Sequence, residues 1–161
     1  MAGDDFRELY QDVLLDHSRE RHGYALLPAP SAESHQRNRS CGDEITLRVH
    51  AREGIVDCLS WTGQGCAISQ ASASMLCDIT GGLTPRECGL RVAAFRAMLH
   101  SRGKDGGDSD VLGDAVALSG VALYPPRINC AMLAWVALED ALNSLDASAH
   151  PPDPSTAGTT K

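Results

Sequence analysis

The sequence has no long hydrophobic run, no excess of positive charge, no cysteine pair at CxxC spacing and no internal repeat. No apolar stretch approaches the ~20 residues needed to span a bilayer, which excludes a membrane helix as its organising element. The opening stretch, MAGDDFRELYQDVLLDH, carries acids where a secretion signal carries a basic leader, and no apolar segment with a small-residue cleavage site follows. A cytoplasmic protein is therefore expected, with no membrane partner. The formal net charge of -7 repels a polyanion, so nucleic acid is not an expected partner.

What is present suits one domain. A chain of 161 residues, 43% of them apolar, has enough material for a single sizeable core and too little for two ordinary domains. Six cysteines in a chain without a secretion signal belong where thiols stay reduced, which favours metal binding or thiol chemistry over disulfides.

Hydrophobic spacing outlines the elements. Phe6, Leu9, Tyr10, Val13 and Leu14 share one helical face between Asp4 and His17, with Asp4 or Asp5 placed to cap it. From Arg19 to Ser40 the chain is rich in Gly, Pro, Ser and charge and reads as a connecting loop. Ile45, Leu47 and Val49 then alternate with polar residues, as in a strand with one buried face; Arg52-Glu53-Gly54 turns the chain, and IVDCLSW returns it as a hairpin. After Gly63-Gln64-Gly65 the period changes. Ile68, Ala71, Met75 and Ile79 mark a helix stopped at Gly81-Gly82.

Thr84 before Pro85 predicts the start of another helix running to about His100, with Leu90, Ala94, Ala97 and Met98 buried. SRGKDGGDSD is a polar loop, and residues 111–123 form a short helix or a packed loop. Pro125-Pro126 introduces a last helix from about Ile128 to Leu145, with Cys130 in its first turn. Residues 1–146 are expected to form the domain. Residues 147–161 lack bulky apolar side chains and are expected to be a disordered tail.

Cys41, Cys66 and Cys130 fall at junctions between these elements. In Cys41-Gly42-Asp43 the glycine frees the backbone, so thiol and carboxylate can face the same space. Cys66 and Cys130 stand at predicted helix N-termini, where the dipole favours a thiolate and should bring the thiol pKa below about 8.5. Three thiolates and a carboxylate are a plausible donor set for zinc. The four residues are scattered, however, and their spacing alone leaves the metal site open.

These residues also carry a resemblance. The segments LYQDVLLDH, CGDEITLRV, GQGCAISQASASML and YPPRINCAMLAW occur in this order, and from about Phe6 to Leu145 the chain resembles the SufU proteins, relatives of the IscU scaffold. Asn129 stands before the last cysteine where the scaffold branch has histidine, and extra sequence separates Cys66 from Cys130; both features resemble SufU. The usual Asn-Pro-x-Cys-Gly-Asp run is here Asn38-Arg39-Ser40-Cys41-Gly42-Asp43, and the usual Pro-Arg-Asn after the first helix is replaced by Arg19-Glu20-Arg21-His22-Gly23.

The resemblance implies an α+β fold, a small antiparallel sheet with helices packed on one face. It implies Zn2+ held by Cys41, Asp43, Cys66 and Cys130, with Arg127 in docking or site support. It further implies a sulfurtransferase that accepts persulfide sulfur on Cys41 from a SufS-type cysteine desulfurase and serves the downstream SUF cluster-assembly machinery. A scaffold assembling an iron-sulfur cluster on the same thiolates and a purely structural zinc module are the alternatives.

Cys58, Cys77 and Cys88 lie within predicted elements and read as small apolar residues. His17, His22, His35, His50, His100 and His150 are scattered without a partner at metal-ligand spacing and receive no site role, although His17 is a candidate contact for the site loop. Trp61 and Trp135 stand in apolar stretches and read as core.

Overall fold

The computed structural model describes the backbone of residues 2–149 and the side chains of residues 10–145. Three strands, β1 (Ala32–Arg37), β2 (Glu44–Arg52) and β3 (Ile55–Gln64), form an antiparallel meander with β2 in the centre. The register runs from Ala32 opposite Val49 to Arg37 opposite Glu44, and from Glu44 opposite Gln64 to Arg52 opposite Ile55, with an irregularity between His50 and Ala51. Ile45, Leu47 and Val49 point to the covered face, as their alternation requires.

Helices α1 (Ala2–Glu20), α2 (Ala67–Thr80), α3 (Pro85–Leu99), the short α4 (Ser109–Leu112) and α5 (Pro125–Ala149) complete the α+β fold. α5 packs across β1 and β2 while α2 packs on β3; α1 lies on α2, and α3 lies on α5. Among the described residues no helix is long and apolar enough to cross a membrane.

α2 is made largely of small residues. Ser69, Ala71, Ser72, Ala73 and Ser74 are all buried, which lets its neighbours approach closely. The buried hydroxyls need partners. Ser72 donates to the Ala131 carbonyl at 2.6 Å and accepts the Trp135 indole N–H at 2.8 Å, joining α2 to α5. Trp135 in turn stacks on Phe95 of α3, with ring centroids 3.9 Å apart and planes 6° from parallel. Trp61 is likewise fully buried, its indole donating to the His22 carbonyl.

Of residues 111–123, expected as a short helix or packed loop, the first two end α4 and 113–123 form a 3₁₀ helix. Three residues per turn eclipse every third side chain. Leu112, Ala115, Leu118 and Val121 accordingly make one buried row.

Several expectations are corrected. The segment from Arg19 to Ser40 is not all loop, because residues 32–37 form the edge strand β1. Its only buried residue is Ser34, whose hydroxyl donates to Asp140 of α5 at 2.7 Å, so no apolar alternation marked it. Pairing with β2 and cover from α5 override its weak strand composition.

In α3 the buried face is Cys88, Val92, Phe95, Met98 and Leu99, while Leu90 is 61% exposed and Ala97 is exposed. Turning Phe95 and Leu99 inward buries more apolar area than Leu90 and Ala97 would. The helix does begin as expected: Thr84 accepts the Glu87 N–H, with Pro85 in the first turn.

α5 begins at Pro125 rather than near Ile128, because a proline fits the first turn, where its missing N–H costs nothing. It reaches Ala149, so the expected tail starts inside it; residues 150–161 lie outside the described residues. α1 likewise runs past the expected His17 and begins at Ala2, placing Asp4 and Asp5 inside the helix rather than at its cap. The side chains of Asp4, Asp5, Phe6 and Leu9 lie outside the described residues.

The Phe95 to Trp135 stack is expected to dominate the α3 contact. Phe95→Ala should lower the unfolding free energy by about 3–5 kcal/mol, whereas Leu90→Ala should change it by less than about 0.5 kcal/mol. Urea unfolding of the two variants measures the difference.

Candidate metal and thiol site

The site lies where the β1 to β2 loop, the start of α2 and the second turn of α5 meet. In the loop, Asn38 N–H donates to the Asp43 carbonyl and Gly42 N–H donates to the Asn38 carbonyl, both at 2.8 Å. Gly42 has φ +77°, a conformation that glycine adopts without a Cβ clash. This turn leaves Cys41 exposed at the hairpin tip and sends Asp43 inward, where only 4% of it is accessible. Cys41-Gly42-Asp43 thus closes a hairpin; it does not simply precede a first strand.

Cys66 is the residue before α2, in extended conformation, and its own side chain does not cap the helix. The Asp43 carboxylate supplies that acceptor, taking the Cys66 N–H at 3.3 Å and lying 3.5 Å from the Cys66 thiol. Gly65 makes the approach possible. A Cβ there would stand 2.6 Å from Asp43 Cγ and 2.5 Å from Ser69 Oγ.

Cys130 enters from α5. It is buried, its sulfur lies 3.5 Å from Cys41 Sγ, and the Asn38 amide points to it at 3.9 Å. Since α5 starts at Pro125, Cys130 sits in the second turn, past the free N–H groups of the helix end. The expected fall in its pKa is reversed: burial, the hydrogen bond to Cys41 and the negative charges of Cys66 and Asp43 push the thiol well above its ordinary range.

The ligand atoms of Cys41, Asp43 and Cys130 lie within 4.8 Å of one another, and Cys66 joins them through Asp43. This donor set fits zinc. Sulfurs on a tetrahedral ion with Zn–S near 2.3 Å stand about 3.8 Å apart, close to the 3.5 Å between Cys41 and Cys130. The fit is also electrostatic. Burial is the main cause of the raised Cys130 thiol, and a divalent ion would offset the further contribution from the negative charges of Cys66 and Asp43.

Arg127 does not enter this cluster. It is exposed in the first turn of α5, beside an open groove lined by Tyr10, Leu14, Ile68, Leu123 and Tyr124. Asn38 and Gly65 shape the site and were not singled out from the sequence; Gly65 was visible only as a stop before α2.

Cys58, Cys77 and Cys88 stay outside the cluster. Burial raises the Cys77 thiol to about 12 and the Cys88 thiol to about 11, so both are neutral. The histidines depart from expectation in one place: His17 and His22 converge with Asp78. His17 contacts Ser74 and Asp114, not the loop bearing Cys41.

The chain is similar to known proteins in sequence and in fold. The family described as "NifU-like N terminal domain" matches residues 9–131. The iron-sulfur cluster assembly scaffold protein IscU of Streptococcus pyogenes serotype M1 is 36% identical over 142 residues, covering 88% of this chain and 87% of the relative. The zinc-dependent sulfurtransferase SufU of Bacillus subtilis (strain 168) is 37% identical over 131 residues, covering 81% and 87%. Among solved structures, a putative iron-sulfur cluster assembly scaffold protein for the SUF system from Fervidobacterium islandicum AW-1 superposes with a TM-score of 0.71 at 32% identity, covering 81% of this chain and 93% of the other.

Two outcomes follow for the thiols. In metal-free protein at pH 8, iodoacetamide should modify exposed Cys41 at least about tenfold faster than Cys130, as read by peptide mass mapping. The unfolded chain ionises its thiols near pH 8.5, whereas Cys77 and Cys88 ionise in the folded chain only near 12 and 11. Their contribution to stability is therefore complete below about pH 8.5 and declines as pH rises toward 11 and 12. Urea midpoints across that range should fall more steeply for the wild type than for a Cys77→Ala/Cys88→Ala variant.

Proposed function

The chain belongs to the NifU-like N-terminal domain family, and on that premise we propose that it is a zinc-dependent sulfur carrier for iron-sulfur cluster assembly, accepting persulfide sulfur from a SufS-type cysteine desulfurase. The observation that carries this reading is the unequal exposure of the cluster: Cys41 is open to solvent on a glycine-hinged tip, while Asp43 and Cys130 are buried. Cys41 is the most open of the cluster thiols, since Cys66 is half-buried and Cys130 is buried. This supports Cys41 as the acceptor and the other donors as the holders of an ion.

Bound zinc would keep the surrounding sulfurs as thiolates without taking part in redox chemistry. Asp43, Cys66 and Cys130 would hold it, leaving the Cys41 thiol to react. In the transfer, the Cys41 thiolate attacks the outer sulfur of the desulfurase persulfide. A new sulfur-sulfur bond forms on Cys41, the bond within the desulfurase persulfide breaks, and the desulfurase cysteine leaves as a thiolate. Gly42 supplies the rotation that brings Cys41 out to its partner.

Arg127, exposed beside the groove of Tyr10, Ile68, Leu123 and Tyr124, is assigned to docking of the desulfurase. Downstream, the bound sulfur passes to the SUF cluster-assembly machinery. Asn129 in place of a histidine beside Cys130 supports carrier over scaffold. The scaffold reading has its own support in the relative named as an IscU scaffold.

Metal analysis and desulfurase turnover test the choice. About one zinc per chain, with turnover accelerated by the intact protein and left at background by Cys41→Ala, is the expected result. A folded Cys41→Ala that accelerates turnover as well as wild type would remove the carrier assignment. A coloured, sulfide-containing protein after anaerobic reconstitution with iron would favour the scaffold instead.

A further inference from the structure

We propose that His17, His22, Asp78 and Asp114 form a second site for a divalent transition-metal ion of the zinc type, separate from the thiol cluster. One ligand atom each of His17, His22 and Asp78 lies within 4.8 Å of the other two; Asp114 is outside that group and joins it through His17. Individually, His22 Nδ1 is 2.9 Å from Asp78 Oδ2, His17 Nε2 is 3.9 Å from the same oxygen, and Asp114 Oδ2 is 2.9 Å from His17 Nε2. These separations bracket the roughly 3.3–3.5 Å edges of a tetrahedron with bonds of 2.0–2.1 Å.

The site is remote from the thiols. Ser74 and Asp78 lie eight and twelve residues beyond Cys66 in sequence, about 12 and 18 Å at 1.5 Å per residue. One ion cannot serve both.

The surroundings resemble those that prepare imidazoles for a metal. His17 is almost wholly buried, with 5% of its side chain accessible, and its other nitrogen, Nδ1, is bonded to Ser74 Oγ at 2.8 Å. A partner on the second nitrogen fixes the ring and leaves Nε2 directed at the ion. Ser74 Oγ also accepts the His22 backbone N–H at 2.9 Å, tying both histidines to one point on α2. Gly23, at φ +81°, shapes the turn that follows; a Cβ there would stand 2.5 Å from Cys77 Sγ.

Asp78, Asp114 and His22 are partly open, which leaves room for a water ligand. Glu20, 2.9 Å from His22 Nε2, supplies the outer partner of the second imidazole. Each nitrogen that would face the ion now faces a carboxylate oxygen, so the cation takes the place of a shared proton. Two neutral imidazoles and two carboxylates balance a divalent charge. The imidazoles favour zinc, cobalt or nickel over calcium and magnesium, which prefer oxygen ligands. The ion would join the last turn of α1 and the turn after it to the last turn of α2 and the start of the 3₁₀ helix.

Equilibrium dialysis of the full chain against Co2+ tests the proposal, with His22→Gln/Asp78→Asn as the comparison; both positions are partly exposed, so the fold should persist, as far-UV circular dichroism can check. Wild type should bind one equivalent more than the variant, or bind that equivalent at least about tenfold more tightly. The additional equivalent should bring weak d–d absorption and no sulfur-to-cobalt charge transfer. Zinc titration of 15N-labelled wild type should shift His17 Nε2 and His22 Nδ1 together, a readout that needs no substitution. Equal stoichiometry and affinity in wild type and variant, or unmoved imidazole nitrogens at saturating zinc, would overturn the site.

Discussion

A single buried hydroxyl sets the relation between the helices that carry the thiols. Ser72 donates to the Ala131 carbonyl and accepts from the Trp135 indole, so α2 and α5 are fixed at the level of residues adjacent to the site. Cys66 lies six residues before Ser72, and Cys130 directly precedes Ala131. A buried polar group must keep its partners, so this contact resists sliding or rotation of one helix on the other. Trp135 passes the constraint to α3 through its stack on Phe95.

The sheet supplies the third approach. β2 is locked by its neighbours on both sides, and its buried row of Ile45, Leu47 and Val49 is pressed under α5, so the loop ahead of Glu44 has a fixed anchor. Asp43 is the last residue of that loop and points inward; Cys41, two residues earlier across a left-handed glycine, points outward. Rigid anchorage and local freedom are thereby placed within three residues. That combination suits a centre in which some donors stay and one departs.

Crowding acids into a small buried volume has an energetic consequence. Burial, the hydrogen bond to Cys41 and neighbouring negative charge hold the Cys130 thiol protonated, so an ion bound through its sulfur would have to displace that proton. The contrast with Cys77 and Cys88 is instructive. Their thiols are also raised, chiefly by burial, yet they lie among apolar neighbours of α2 and α3 and have no comparable set of donors around them among the described residues.

Much of the fold was legible in the sequence because its signals are local. Alternation marked β2, helical spacing marked α2, and Thr84-Pro85 marked the start of α3, since each depends on backbone geometry over a few residues. The thiol cluster was legible in composition and position, through cysteines at element junctions and the family segments around them. β1 was not, because its stability comes from pairing with β2 and from the Ser34 to Asp140 bond, neither of which a polar hexapeptide announces.

The face of α3 was decided by the bulk of Phe95 against Trp135, and the Cys130 pKa by which turn of α5 the thiol occupies and which charges surround it. The meeting of His17 with His22, Asp78 and Asp114 likewise joins residues up to 97 positions apart. The sequence by itself determined the local periods, the caps and the kinds of donor available. Tertiary structure alone decided which faces were buried, which donors met and which protons they kept, because packing and electrostatics act across space between residues that the chain holds far apart.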